Sequence, residues 1–270
     1  MKTPDILNSI WAAFATYSRI PVPKVSWEKE RVRWQICCFP LVGLVIGLIW
    51  CGAALLLTRL RAHPVLTGAV LTALPLFLTG GIHMDGFLDT SDAIHSWKSR
   101  EERLAILEDP HIGAFAFIYG ALYLLLWFGA AVQIAASALT AGPEASRIPF
   151  LMVGAGFVLS RAFSAVSVLW FPKAKKDGML KSTSDASDNR AGVVILAELC
   201  VIVLGFLAAA IYLKSVRIAL LPAASALVCA YYYHMARERF GGTSGDLAGW
   251  FLQVCELVLI GISALCTILR

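Results

Sequence analysis

Residues 34–58, WQICCFPLVGLVIGLIWCGAALLLT, contain no charged side chain. A helix over this stretch would rise about 37 Å, enough to cross the ~30 Å hydrocarbon core of a bilayer. Further apolar segments follow at 64–80, 113–136, 148–170, 191–213, 217–234 and 247–269. We predict an all-α, polytopic membrane protein with about seven transmembrane helices. The segments 64–80 and 217–234 are the weakest, and the alternative for each is a re-entrant segment or one arm of a tilted hairpin.

The composition supports this class. Hydrophobic residues make up 59% of the 270-residue chain and charged residues 15%, with a mean hydropathy of +0.73, outside the usual range of soluble domains. We find no internal repeat, low-complexity linker or cleavable signal peptide, so we predict one membrane domain over 1–270. Its parts outside the bilayer are an interfacial N-terminal segment at 1–33, an acidic catalytic loop at 81–112, a basic loop at 171–190 and a glycine-rich loop at 235–246.

Basic residues predict the orientation, because positively charged loops stay on the cytoplasmic side. Of the 23 Lys and Arg residues, 16 fall in these four segments. We therefore expect a multi-pass protein of the cytoplasmic membrane whose acidic loop faces the cytoplasm. The net charge of +5 follows from this topology and from attraction to anionic membrane lipids, so we expect no nucleic-acid partner. The basic loop either closes over the site or only enforces topology.

The acidic loop contains GGIHMDGFLDTSDAIHS at 80–96. On a helix, Asp85, Asp89 and Asp92 fall within an arc of about 60°, and three carboxylates so close repel one another unless a cation lies between them. Hard oxygen ligands favour Mg²⁺, which usually completes its shell with water and substrate phosphates. The pattern predicts a magnesium site for diphosphate chemistry, whereas the simpler interpretation is a solvated helix face. We expect His83 to contact substrate or ligands rather than bind the metal.

Basic side chains nearby are candidates for phosphate binding. Arg100 and Arg103 have guanidinium groups shaped for phosphate oxygens, although ordinary surface pairing with Glu101 and Glu102 explains them equally well. Arg161 lies within an apolar span, where an ionisable residue is expensive and is by default a candidate for function; snorkelling is the alternative.

The glycine-rich loop adds RFGGTSGDLAG at 239–249. Gly241, Gly242 and Gly245 would let backbone amides approach an anion, and Asp246 would add a carboxylate. Glycine-rich turns precede many helices, so the motif is weak by itself. Glu256, near the middle of the last span, is expected either to pair with Arg161 or to line a cavity.

Five runs on this apolar frame carry a resemblance: SRIPVP (18–23), FPLVGLVIG (39–47), GGIHMDGFLDTSDA (80–93), RLAILEDPHIGAF (103–115) and FGGTSGDLAG (240–249). Together they resemble the cobalamin synthase family, also called adenosylcobinamide-GDP ribazoletransferase, over essentially the whole chain. The family pattern usually has Ser-Arg where this chain has Pro110 and His111, but every aspartate is present.

The resemblance implies a magnesium-dependent membrane transferase. It would join adenosylcobinamide-GDP to α-ribazole or α-ribazole 5′-phosphate, giving adenosylcobalamin or its phosphate and releasing GMP. We expect Asp85 and Asp89 to bind the metal, Asp92 to bind it or act as general base, and Asp246 to be the competing base. Arg100, Arg103 and Arg161 are the expected substrate contacts. The oligomeric state is left open.

The same residues allow two alternative hypotheses, another magnesium-dependent transferase or a transporter. A CDP-alcohol phosphotransferase or an intramembrane prenyltransferase also uses spaced aspartates and magnesium. The first usually has a D-x-x-D-G-x-x-A-R run, which is absent here, and the second usually has two aspartate-rich motifs, of which this chain has one. A transporter would use Arg161, Glu198 and Glu256 as a relay at the midplane, whereas the acidic residues cluster at one end of the spans.

Overall fold

A computed structural model describes residues 3–141, 143–174, 178–188 and 190–268. Lys175 and Lys176 of the basic loop therefore lie outside the described residues. Among those described, regular structure is helical apart from an isolated bridge between Lys173 and Thr243. The α-helices are α1 (Thr3–Tyr17), α2 (Lys29–Val32), α3 (Phe39–Arg59), α4 (Pro64–Thr79), α5 (Ile82–His95), α6 (Arg100–Ile106), α7 (Ala114–Ala141), α8 (Pro143–Trp170), α9 (Met179–Ala186), α10 (Ala191–Tyr212), α11 (Val216–Phe240) and α12 (Gly245–Ile268).

The predicted all-α, polytopic architecture is confirmed. Helices α3, α7, α8, α10, α11 and α12 are long and apolar enough to cross a membrane, and the bent pair of α4 and α5 makes a seventh span if it is counted as one. Each of the seven predicted segments is helical. The segment predicted at 217–234 is longer, since α11 continues to Phe240.

The helix α8 is the centre of the bundle. Within its most apolar stretch, 72% of the residues are buried by protein, against 17% in α10, which faces outward along most of its length. Helix α3 approaches α8 closely through glycine, because a β-carbon at Gly47 would lie 2.2 Å from the carbonyl oxygen of Gly154. Helices α3 and α8 therefore pack tightly in the interior of the bundle.

Helix α5 crosses the end of the bundle. The chain turns by 96° between α4 and α5, through Gly80 (φ 65°) and Gly81 (φ 77°), a left-handed backbone conformation that favours glycine. Helix α5 then packs on α12 and α7. Because it carries three aspartates in 14 residues, we treat it as lying outside the spanning helices.

Candidate active site

The crossing of α5 and α12 builds the site. Gly86 and Gly249 lie at the contact, and a β-carbon at Gly249 would be only 3.0 Å from the carbonyl oxygen of His83. This close approach puts the aspartates of α5 near Asp246, in the first turn of α12. Two sequence motifs separated by about 150 residues therefore meet at one place.

The pKa of Asp89 is consistent with aspartates of both motifs lying close together. Its pKa is raised from 3.8 to about 6, first by burial and then by the negative charges of Asp85, Asp246 and Asp92. A cation bound among these carboxylates would relieve the repulsion between their like charges. The three aspartates predicted to cluster are thus joined by a fourth, Asp246.

A cavity of about 330 Å³ opens beside this cluster. Asp85, Asp246, Lys173 and Lys181 all line it. Neither Asp89 nor Asp92 is among its lining residues. The remaining described side chains around it are mostly apolar or hydroxyl-bearing: Tyr17, Phe39, Ile82, Ser164, Val168, Leu180, Thr243, Ser244, Ala248 and Leu252. A cavity with carboxylates and ammonium groups at its wall suits a metal-bound phosphate ester.

The two lysines come from the basic loop, whose role the sequence left open. The ammonium group of Lys173 donates hydrogen bonds to the carbonyl oxygens of Val168 (2.6 Å) and Phe171 (2.8 Å). Burial and the nearby charge of Lys181 lower the pKa of Lys173 to about 8, against a partial offset from Asp185. The basic loop therefore contributes two side chains to the cavity lining.

His83 lies in the wall of the same cavity. It is 5% exposed, and its Nε2 has no hydrogen-bond partner among the described residues. Burial, followed by the positive charge of Arg161, lowers its pKa to about 3, so the ring is neutral. Its ring centroid is 5.9 Å from that of Phe39. A neutral imidazole with a free nitrogen can accept or donate one hydrogen bond to a substrate.

The glycine-rich loop divides into two parts. The amides of Gly241 and Gly242 donate to Arg237 and Ala236, so they end α11 and are not free for an anion. Gly245, in contrast, begins α12 and lines the cavity. The free amides of a helix N-terminus attract negative charge, so this end of α12 favours a phosphate group.

Three further predicted residues lie away from the cavity. The Nε of Arg100 donates to the carbonyl oxygen of Phe240 (3.0 Å) and supports the end of α11. Arg103 lines a second cavity on another face of α5. The carboxylate of Asp92 packs on Gly113, just before α7, where a β-carbon would be 2.1 Å from both oxygens.

Arg161 is buried within the bundle. It is 1% exposed, forms an ion pair with Glu256, and donates to Ser160 Oγ (3.0 Å) and the carbonyl oxygen of Phe157 (3.1 Å). The expected pairing of Glu256 with Arg161 is confirmed. Arg161 influences the cavity through its charge on His83 instead of through an exposed guanidinium.

The donor set fits magnesium that is partly bound by substrate. Among the residues that the structure describes, no group of three or more His, Cys, Asp or Glu side chains is arranged to hold a metal ion. Magnesium typically binds through one or two carboxylates with water and phosphate oxygens, so Asp85, which lines the cavity, and the neighbouring Asp89 are the residues that could hold it. The seven cysteines lie elsewhere and are all free.

Comparison with known proteins gives a consistent family. The model of a family described as cobalamin-5-phosphate synthase matches residues 9–264. A relative from Lachnoclostridium phytofermentans, named adenosylcobinamide-GDP ribazoletransferase, is 40% identical over 93% of this chain and 91% of its own. Relatives of the same name from Rhizobium etli and Geobacillus kaustophilus are 33% and 32% identical, covering 96% and 94% of this chain and 97% and 94% of their own. No solved structure matches significantly.

Proposed function

The chain belongs to the cobalamin-5-phosphate synthase family, and from this premise we propose that it transfers the corrinoid phosphoryl group of adenosylcobinamide-GDP to α-ribazole or α-ribazole 5′-phosphate. It is an enzyme of cobalamin biosynthesis. The donor and acceptor are taken from the printed name of its relatives. The proposed setting is the cytoplasmic face of the cell membrane, which the distribution of basic residues supports.

The observation that carries the proposal is the cavity shared by Asp85, Asp246, Lys173 and Lys181. A diphosphate has negative oxygens for the ammonium groups and for the N-terminal amides of α12. The carboxylates need a cation before they can approach the same oxygens. The presence of both signs of charge in the lining of one cavity therefore matches a diphosphate that arrives with a divalent metal.

In the proposed reaction, a hydroxyl oxygen of the ribazole attacks the phosphorus attached to the corrinoid arm. The new oxygen–phosphorus bond forms as the bond from that phosphorus to the bridging oxygen of GMP breaks, so GMP leaves. The hydroxyl proton passes to Asp246, which lines the cavity and is our first choice for the base. Neutral His83 holds a phosphate or hydroxyl oxygen by one hydrogen bond.

Magnesium would be held by Asp85 and Asp89 and, when bound, would neutralise charge on the diphosphate and the departing GMP. Asp92, also on α5, contributes to the negative charge around Asp89, and its carboxylate packs against Gly113, just before α7. Phosphoryl transfer needs little covalent chemistry from the protein, so positioning and charge are its main contributions.

The test is an assay of detergent-purified protein with adenosylcobinamide-GDP, α-ribazole 5′-phosphate and Mg²⁺, following GMP release and the mass of the corrinoid product. We expect product with wild type, loss with EDTA, recovery with added Mg²⁺ and loss in Asp85→Asn. The matched control is Glu101→Gln, which removes an exposed acid on α6 and should keep normal turnover.

Product formation that survives EDTA or the Asp85→Asn change would contradict the proposed role of the metal and of Asp85. A folded wild-type preparation that releases no GMP would contradict the reaction itself. In that case the substrates of CDP-alcohol phosphotransferases would be tested next.

A further inference from the structure

A second cavity lies on the face of α5 opposite the aspartates. Its volume is about 680 Å³, and α5 contributes Phe87, Ser91, Ile94 and His95 to its wall. At 100° per residue these positions are centred more than 120° from the arc of the aspartates. The cavity is therefore separate from the proposed catalytic site, and no Asp or Glu is among its described lining residues.

The deeper part of this cavity is an apolar groove between membrane helices. Helices α7 and α11 both pack on α12, which forms the floor. Leu122 and Leu126 of α7 line one wall, and Val254 and Leu257 lie on the floor. Leu126 is 60% exposed, so the groove is open to the side, where acyl chains surround a membrane protein. It runs about 10 Å along α7 from Tyr119 to Leu126, well over half of one ~15 Å hydrocarbon leaflet.

The end of the groove nearest α5 is basic. Arg103 from α6 and Arg239 from α11 both line it. The Nε of Arg103 is buried without a hydrogen-bond partner among the described residues. Arg239 makes one long hydrogen bond, 3.4 Å, to the carbonyl oxygen of Ile94. A buried guanidinium nitrogen without a partner is costly, and a phosphate oxygen would satisfy it in a geometry that suits guanidinium.

Aromatic rings line the same cavity as the two arginines. His95 stacks on Tyr119 with ring centroids 4.0 Å apart, and Tyr231 packs on Trp250 at 6.1 Å. Trp97, which also lines the cavity, is 92% exposed. Tyrosine and tryptophan are enriched where a membrane protein meets the headgroup region, because one side of the ring is apolar and the other is polar.

We propose that this groove is a binding site for one anionic phospholipid. The phosphate contacts Arg103 and Arg239, the aromatic rings surround the glycerol, and the first part of one acyl chain lies between α7 and α11 on α12. The occupant is a lipid and not a soluble phosphate compound, because the basic end continues into a groove of chain-like length that opens to the side. The site is independent of the proposed reaction.

The test is native mass spectrometry of the full chain released from nanodiscs of phosphatidylglycerol or of phosphatidylcholine. We expect wild type to retain one phosphatidylglycerol at least tenfold more than phosphatidylcholine. The double variant Arg103→Gln/Arg239→Gln should lose this preference. The matched control Lys98→Gln/Arg237→Gln removes two exposed charges outside the groove and should keep it.

A second variant distinguishes loss of lipid binding from loss of folding. Leu126→Trp fills the apolar groove at an exposed position without changing charge, and it should lower phosphatidylglycerol retention severalfold while the protein stays monodisperse. Equal retention of both lipids by wild type, or an unchanged preference in the Arg103→Gln/Arg239→Gln variant, would overturn the proposal. Displacement of the lipid by an equal concentration of glycerol 1-phosphate would also overturn it, since the site would then recognise a soluble phosphate.

Discussion

Gly86 of α5 lies directly against the backbone of Asp246 at the start of α12. A β-carbon at Gly86 would be 2.7 Å from both the Cα and the carbonyl oxygen of Asp246. Such a distance is shorter than real carbon contacts allow, and the obstructing atoms are backbone and cannot rotate away. The absence of a side chain at position 86 is therefore what allows the aspartates of the two motifs to share one site.

Gly86→Ala should reduce turnover at least tenfold, because the added methyl group forces α5 and α12 apart. Overpacking of this kind costs about 1–3 kcal/mol, so the protein should remain folded. The measurement is GMP release, with size-exclusion chromatography as the check on folding. Gly129→Ala, in α7, is the matched control, since a β-carbon at position 129 would meet nothing within 4 Å. Equal activity of the two variants would contradict the importance of the contact.

Asp246→Asn should lower kcat at saturating Mg²⁺ by at least ~100-fold, the usual contribution of a general base. Asp92→Asn should lower it by less than about tenfold, because the Asp92 carboxylate packs on Gly113 away from the cavity. Steady-state assays of both variants show which of the two aspartates is the general base. The reverse order of effects would assign the base to Asp92.

Arg161→Met should destabilise the protein by about 3–5 kcal/mol, because it leaves Glu256 buried without its partner. The double variant Arg161→Met/Glu256→Met should recover most of that stability. Thermal unfolding in detergent measures both. If Arg161→Met unfolded like wild type and only raised KM for adenosylcobinamide-GDP, a direct substrate contact would be the better explanation.

The affinity for adenosylcobinamide-GDP should fall in alkaline solution. The pKa of Lys173 is lowered to about 8, so the side chain is charged below that pH and becomes neutral as pH rises through it. Since charged hydrogen bonds contribute about 1.5–3 kcal/mol, kcat/KM should drop about tenfold between pH 7 and pH 9. Lys173→Met should lack this step, whereas Lys98→Met should keep it. A step that persists in Lys173→Met would assign it to another group.

Much of the fold could be predicted because apolar segments of bilayer length are a strong signal. All seven proposed segments are helices, and the three aspartates do lie together on α5. The resemblance to the family makes Asp246 a candidate base of the same site, but helical spacing alone does not place it there. Its position beside the other aspartates depends on the 96° turn at Gly80 and Gly81 and on a backbone contact at Gly86. Periodicity within one helix carries no information about either.

The basic residues show the limit of sequence reasoning more clearly. The guanidinium group of Arg100 suits a phosphate, yet its Nε donates to the carbonyl oxygen of Phe240, 140 positions away in the chain. This hydrogen bond holds the side chain at the end of α11. The sequence leaves open whether the basic loop closes over the site or only enforces topology, and the structure places Lys173 and Lys181 of this loop in the cavity lining. The single available signal was the density of lysines in the 171–190 loop, which membrane topology explains equally well.

The most direct test of the central claim is Mn²⁺ binding, followed by electron paramagnetic resonance, with and without adenosylcobinamide-GDP. Because the described side chains form no complete metal site, wild type should bind Mn²⁺ weakly alone and at least tenfold more tightly with the nucleotide. Asp85→Asn should lose this gain, and Glu101→Gln should keep it. Tight binding without the nucleotide, or an unchanged gain in Asp85→Asn, would contradict a metal site that α5 and the substrate diphosphate complete together.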